Sequence, residues 1–190
     1  MNTGTFRAWV DESGSDHVAD PGTYVLAAAI GRQETEGSIR AQMSSLRLPG
    51  QAKLHWRAED HRRRTLITRA VSECDLEHLV VVRAGALHNR PERRRRKCLE
   101  RLLYELERRI VHDVVLESRG PADDRRDIQM LNALRGQQRL TGPLRLTHAV
   151  GRHEPMLWVP DAVCGAVTSA RTGTNIHQEM LAPRLTLLEI

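Results

Sequence analysis

Three acidic residues stand where an apolar stretch ends or is interrupted. Asp11 follows Phe6-Arg7-Ala8-Trp9-Val10, Glu117 follows Val114-Val115-Leu116, and Asp161 interrupts the run from Met156 to Ala166. An aspartate in such a run is costly to bury unless it is paired or bound to a cation. Carboxylates converging from different elements are what Mg²⁺ or Mn²⁺ chemistry on a phosphodiester requires. Hard cations take oxygen ligands and neutralise charge on the attacking and leaving oxygens. Asp11, Glu117 and Asp161 are therefore the candidate catalytic and metal-binding set. Each also has a structural use taken singly: Asp11 to open a turn, Glu117 to cap a segment, Asp161 to pair with an arginine. Around them, His55 is a candidate proton shuttle or phosphate contact with Lys53 beside it. Arg119 is placed to grip a scissile phosphate directly after Glu117. Glu12 must face away from Asp11 if both lie in a strand, and Asp127 and Glu154 are reserve ligands.

The elements that position these groups follow from periodicity. Residues 6–10 alternate and run into Asp11-Glu12-Ser13-Gly14, a strand entering a turn, and residues 23–30 form a continuous apolar run suited to a strand paired with it as a hairpin. Helical spacing predicts helices over residues 33–48, 58–74, 123–138 and 156–170, with a long one opening at Pro91. A short extended piece spans residues 53–56, and strands are expected over 76–86, 112–118 and 144–150. Strands alternating with helices after an antiparallel hairpin make an α/β fold with a mixed sheet. Residues 1–171 read as one domain. Residues 172–190, polar and then apolar, read as a tail that packs on that domain or on a second copy, as in a homodimer.

Composition limits the functions available. The chain has 190 residues, 40% hydrophobic and 28% charged, ordinary for a globular domain and too apolar for dominant disorder. No apolar stretch approaches the roughly 20 residues of a membrane span, and residues 1–5 lack the features of a secretory leader. Cys74, Cys98 and Cys164 stand far apart, which excludes a disulfide framework or zinc knuckle and suits buried thiols in a reducing, cytoplasmic setting. The net charge of +5 is carried almost wholly by arginine. Two arginine-rich helix faces, Arg62-Arg63-Arg64 and Arg93 to Lys97 with Arg101, Arg108 and Arg109, suit nucleic-acid phosphates. They also suit a solvated face, with Glu92, Glu100, Glu105 and Glu107 as internal partners.

The motifs resemble a known family. Val10-Asp11-Glu12-Ser13-Gly14 with Tyr24-Val25-Leu26-Ala27-Ala28, then Lys53-Leu54-His55, then Leu157 to Ala166 with its central Asp161, are similar to the opening, middle and closing motifs of the "domain of unknown function 3800" family. The resemblance spans residues 6 to 170. It implies an RNase H-like mixed sheet flanked by helices and a metal-dependent nuclease, or related phosphodiester-processing enzyme, with Asp11, Glu117 and Asp161 on Mg²⁺ or Mn²⁺. The chain departs from the pattern at His148-Ala149, where the family often has Asp-Ser, at Trp158 and Pro160, and at Lys53, where many members carry an acid. His148 is accordingly a candidate fourth metal ligand. The alternatives are a non-catalytic RNase H-like module that binds nucleic acid or a protein partner, and a hydrolase of small phosphorylated molecules.

Overall fold

Valine, leucine and alanine dominate the segments that pair into the sheet, and these residues suit a pleated surface buried on both faces. A computed structural model describes residues 5–85 and 87–190. Residues 1–4, part of the segment read for a leader, and Ala86, the expected end of the third strand, lie outside the described residues. The strands are β1 (Phe6–Gly14), β2 (Tyr24–Arg32), β3 (Glu77–Arg83), β4 (Val111–Glu117), β5 (Arg145–Ala149) and β6 (Leu185–Glu189). The helices are α1 (Glu36–Ser45), α2 (His61–Glu73), α3 (Pro91–Arg108), α4 (Pro121–Gly136), α5 (Trp158–Arg171) and α6 (Ile176–Leu181).

The sheet order is β5-β4-β1-β2-β3-β6. β1, β2 and β3 form an antiparallel meander, while β1–β4, β4–β5 and β3–β6 are parallel. The expected α/β class and mixed sheet are therefore present. β6 comes from the tail: residues beyond 171 form α6 and then add a sixth strand beside β3.

The sheet separates two apolar layers. On one face Trp9, Val25, Ala27, Ala29, Val80 and Val82 pack under α1, α2, α5 and α6. On the other, Ala8, Val10, Leu26, Ala28, Val114, Leu116 and Leu146 pack under α3 and α4. α3 starts with Pro91 in its first turn, where the missing N–H has no intrahelical partner to lose. It buries Cys98, Leu99, Leu102, Leu103 and Leu106 at three- and four-residue spacing. Each buried leucine contributes about 1.5–3 kcal/mol.

Helix boundaries shift where a polar residue offers a better start. α2 begins at His61, later than the expected 58, because the Asp60 carboxylate accepts the Arg63 N–H at 2.8 Å. Trp56–Ala58 forms a separate single turn, so residues 53–56 run into a turn and pair with no strand among the described residues. α4 begins at Pro121, two residues early, by the same proline rule. The three cysteines are buried free thiols. Among the described residues no helix is long and apolar enough to cross a membrane.

Candidate active site

The sheet register brings two of the acids to one face. Trp9 pairs with Val115 and Val10 with Leu116, the last pair of the β1–β4 ladder. Alternation then sends Asp11 and Glu117 to the side of Trp9 and Val115, beneath α5. Asp161 lies in the first turn of α5, whose Ala162, Val163 and Ala166 pack on that same layer. Carboxyls from β1, β4 and α5 thus lie on one side of the sheet at the end of the central parallel pair, where α/β sheets gather their chemistry.

Asp11 is 7% exposed. Burial first, and then the charges of Asp161 and Glu117, hold its carboxyl well above the ordinary carboxylate pKa. The Glu12 N–H donates to Asp11 Oδ1 at 2.7 Å. One Asp161 oxygen accepts the Trp56 N–H at 2.8 Å, and the other lies 3.3 Å from His55 Nδ1. The bond to Asp161 raises the His55 pKa above its usual value. Lys53 Nζ donates to Glu117 Oε1 at 2.8 Å. Burial works against the Lys53 ammonium, but Glu117, Asp11 and Asp161 outweigh it and raise its pKa.

Two glycines make these approaches possible. A Cβ at Gly151 would overlap the Glu117 carboxylate and come within 3.3 Å of Lys53 Nζ, and one at Gly165 would overlap the Trp56 ring. Trp56 seated on α5 at Gly165 is what aims its own N–H at Asp161. Leu54 and Trp56, 2% and 5% exposed, anchor the segment in the core, while Lys53 and His55 between them reach the acids. Trp158 Nε1 donates to the Gly151 carbonyl at 2.7 Å and fixes that glycine.

A cleft of about 250 Å³ opens beside Asp161, bounded by Ser13, Gly14, His55, Arg57 and Thr168. A second, of about 290 Å³, continues past Gly14, His17, Arg57, Arg64 and Thr172. Arg57 Nη2 donates to the Gly14 carbonyl at 2.5 Å and to Ser13 Oγ at 3.2 Å, tying the β1–β2 turn to the segment that carries His55.

Other candidates lie on the opposite face. Leu116 pairs with His148, so His148 shares the α3–α4 side, and its Nε2 lies 3.1 Å from Asp127. It does not join the three acids. Arg119 also turns that way, 3.3 Å from Glu92 and 3.6 Å from Glu12. Glu12 faces away from Asp11, as alternation requires, and accepts from Arg95 Nε at 2.5 Å. Arg95 is 1% exposed and also donates two bonds to Asp127, at 2.5 and 2.9 Å. Its place in an arginine run marked it for a phosphate-facing surface, but it is the centre of a buried ion network. The rest of the α3 arginine face lies in the layer away from the acids, whereas Arg62 and Arg64 on α2 lie on the acids' side. Glu154 is held by Arg40 at 2.8 Å.

Sequence reasoning missed the parts played by Gly151, Trp56 and Arg57. The spacing Leu54-His55-Trp56 carried a signal, since two apolar anchors flank the histidine; nothing local marked Gly151.

The acids suit a hard divalent cation by charge and by oxygen chemistry. Among the described residues, however, no group of three or more His, Cys, Asp or Glu side chains is gathered closely enough to hold a metal ion. Lys53 draws Glu117 to itself.

No protein-family model matches the chain and no curated protein matches its sequence, so the motif resemblance rests on the residues that carry it. Solved structures do match. Bst-RNase HIII in complex with Mn²⁺ is 16% identical with a TM-score of 0.56, over 88% of this chain and 53% of that one. The ribonuclease H2 from Pyrococcus horikoshii OT3 is 14% identical with a TM-score of 0.57, over 93% and 78%. A point mutant of Bst-RNase HIII is 16% identical with a TM-score of 0.52, over 95% and 54%. The chain spans about half the length of the RNase HIII structures it matches. At these identities the likeness is one of architecture: the chain has an RNase H-like fold.

Proposed function

We propose that the chain is a nuclease of RNase H-like type that hydrolyses a phosphodiester bond in a nucleic acid, with Asp11, Asp161 and Glu117 as its carboxylate set and Mg²⁺ or Mn²⁺ as its cofactor. The observation that carries this reading is that carboxyls from β1, β4 and α5 lie on one side of the sheet, at one end of an RNase H-like fold. The match to an RNase HIII in complex with Mn²⁺ supports the cofactor.

Asp11 and Asp161 would hold the cation, with Glu117 beside them on Lys53. A bound divalent ion supplies a more acidic water and neutralises charge building on the phosphate. The chain's own groups do the rest. Trp56 and His55 fix the rotamer of Asp161 through its two oxygens. His55, whose side chain is 46% exposed and whose pKa is raised by Asp161, stands at the cleft where it can hold a proton for a leaving oxygen. Arg57, with Arg64 further along the cleft, would position backbone phosphates on the acids' side of the sheet. Arg119 and His148 have no part in this chemistry.

The Lys53–Glu117 pair also favours a second reading, a non-catalytic module in which the ammonium satisfies the acids. Cleavage of labelled RNA, DNA and hybrid oligonucleotides with Mn²⁺ or Mg²⁺ separates the two. The nuclease reading expects cleavage that disappears in Asp11→Asn and Asp161→Ala proteins that remain folded. Equal cleavage by the wild type and a folded Asp11→Asn protein would end it.

A further inference from the structure

Lys53 does something the three acids alone do not predict. Its ammonium donates to Glu117 at 2.8 Å, is attracted by Asp11 and Asp161, and lies against Gly151, where any side chain would crowd it. Leu54 and Trp56, buried on either side of His55, hold the segment in register, so the lysine is delivered into the cluster by the core. Lys53 already occupies Glu117, which leaves Asp11 and Asp161 as the two carboxyls that face a divalent ion. A second would have to part Glu117 from Lys53 and share the space with a fixed positive charge, at a cost set by like-charge repulsion in a partly desolvated site.

We propose that the Lys53 ammonium takes one of the two cation places of a two-metal carboxylate site, so that this chain binds a single divalent ion against Asp11 and Asp161 while Glu117 is neutralised by the lysine. The inference rests on the metal-dependent reading above and deepens it. A fixed ammonium would stabilise charge on one oxygen of the reacting phosphate, the part a second ion plays in two-metal sites.

The test is Mn²⁺ titration of the full chain without nucleic acid, by calorimetry and by Mn²⁺ electron paramagnetic resonance. Folding is checked in parallel by circular dichroism. The wild type should bind one ion per chain and lose it in Asp11→Asn. Lys53→Met should bind two, the second abolished by adding Glu117→Gln. Lys53→Arg, which keeps a cation and guards against misfolding of the methionine variant, should bind one. Equal stoichiometry in wild type and Lys53→Met, or two ions in the wild type, overturns the inference. Oligonucleotide cleavage scored separately keeps the two claims distinguishable. Stoichiometry rising from one to two without any cleavage upholds the lysine's role and rejects the nuclease reading. Cleavage with equal stoichiometry rejects the lysine's role alone, and no Mn²⁺ in either protein rejects both.

Discussion

Gly151 is a sensitive position because a single methyl group there reaches both partners of the Lys53–Glu117 pair. Gly151→Ala places its Cβ into the Glu117 carboxylate and 3.3 Å from Lys53 Nζ. The glycine is buried and its carbonyl is held by Trp158, so the backbone has little room to retreat. Overpacking of this kind costs about 1–3 kcal/mol. Loss of the ion pair adds at most about 1 kcal/mol, because the Lys53 and Glu117 side chains stay 29% and 23% exposed and solvent screens them. The entropy that alanine removes from the unfolded chain returns about 0.4–1 kcal/mol. The ion-pair and entropy contributions nearly cancel, and the remaining loss of about 1–3 kcal/mol lowers Tm by about 2–4 °C for each kcal/mol in a chain of this size. Gly37→Ala is the matched control. Its Cβ meets nothing within 4 Å in α1, so stability should hold or rise by up to about 1 kcal/mol. Thermal melts of the three proteins, with oligonucleotide cleavage measured alongside, check the reasoning. Cleavage should fall in Gly151→Ala because Glu117 is displaced. If Gly151→Ala melts and cleaves like the wild type, Glu117 does not sit over Gly151 and the geometry of the site is wrong.

Asp11→Asn should abolish cleavage yet stabilise the metal-free protein by about 0.5–2 kcal/mol, since it removes a buried charge facing two others. The sign follows from linkage: a carboxyl whose folded pKa is raised loses stability as pH climbs from its unfolded value, about 3.9, through the folded one. Urea titrations across that range should show the wild type falling relative to Asp11→Asn, and parallel curves would contradict the burial of Asp11. His55, whose pKa Asp161 raises, should titrate above its ordinary value in NMR spectra and move back down in Asp161→Asn; its contribution to stability is present at low pH and fades as pH rises through the raised pKa. Arg95→Ala should cost about 3–5 kcal/mol by denaturation, because it strands Asp127 and Glu12 without their cation. Arg62→Glu, on the acids' side, should weaken oligonucleotide binding most at low salt, while Arg93→Glu, on the far layer, should leave it nearly unchanged; equal losses would mean that nucleic acid also uses α3.

Much of this molecule could be read along the chain. Asp11 and Glu12 had to point oppositely because strand side chains alternate, and Asp161 in an apolar run demanded a partner. The order of strands and helices up to residue 171 followed from two hydrophobic periods and from Pro91, and it limited the topology to a mixed sheet. These are local facts, set by the steric preferences of a residue and its near neighbours. The alternation of Leu146 and His148 even held the clue that His148 belongs to the α3–α4 side, although only the pairing with Leu116 makes the clue usable.

The folded structure alone decided which charges meet. Arg95 looked like one more surface arginine and is a buried clasp for Glu12 and Asp127, because α3 and α4 close over it. Arg119 follows Glu117 in sequence but turns to the opposite side of the sheet. Lys53 and Glu117 are 64 residues apart and bond only because Gly151, from a third segment, leaves them space. Periodicity assigns a side chain to a face of its own element. The choice of partner across that face depends on register, on helix docking and on the volume left by a residue far away in the chain, and those are properties of the assembled core.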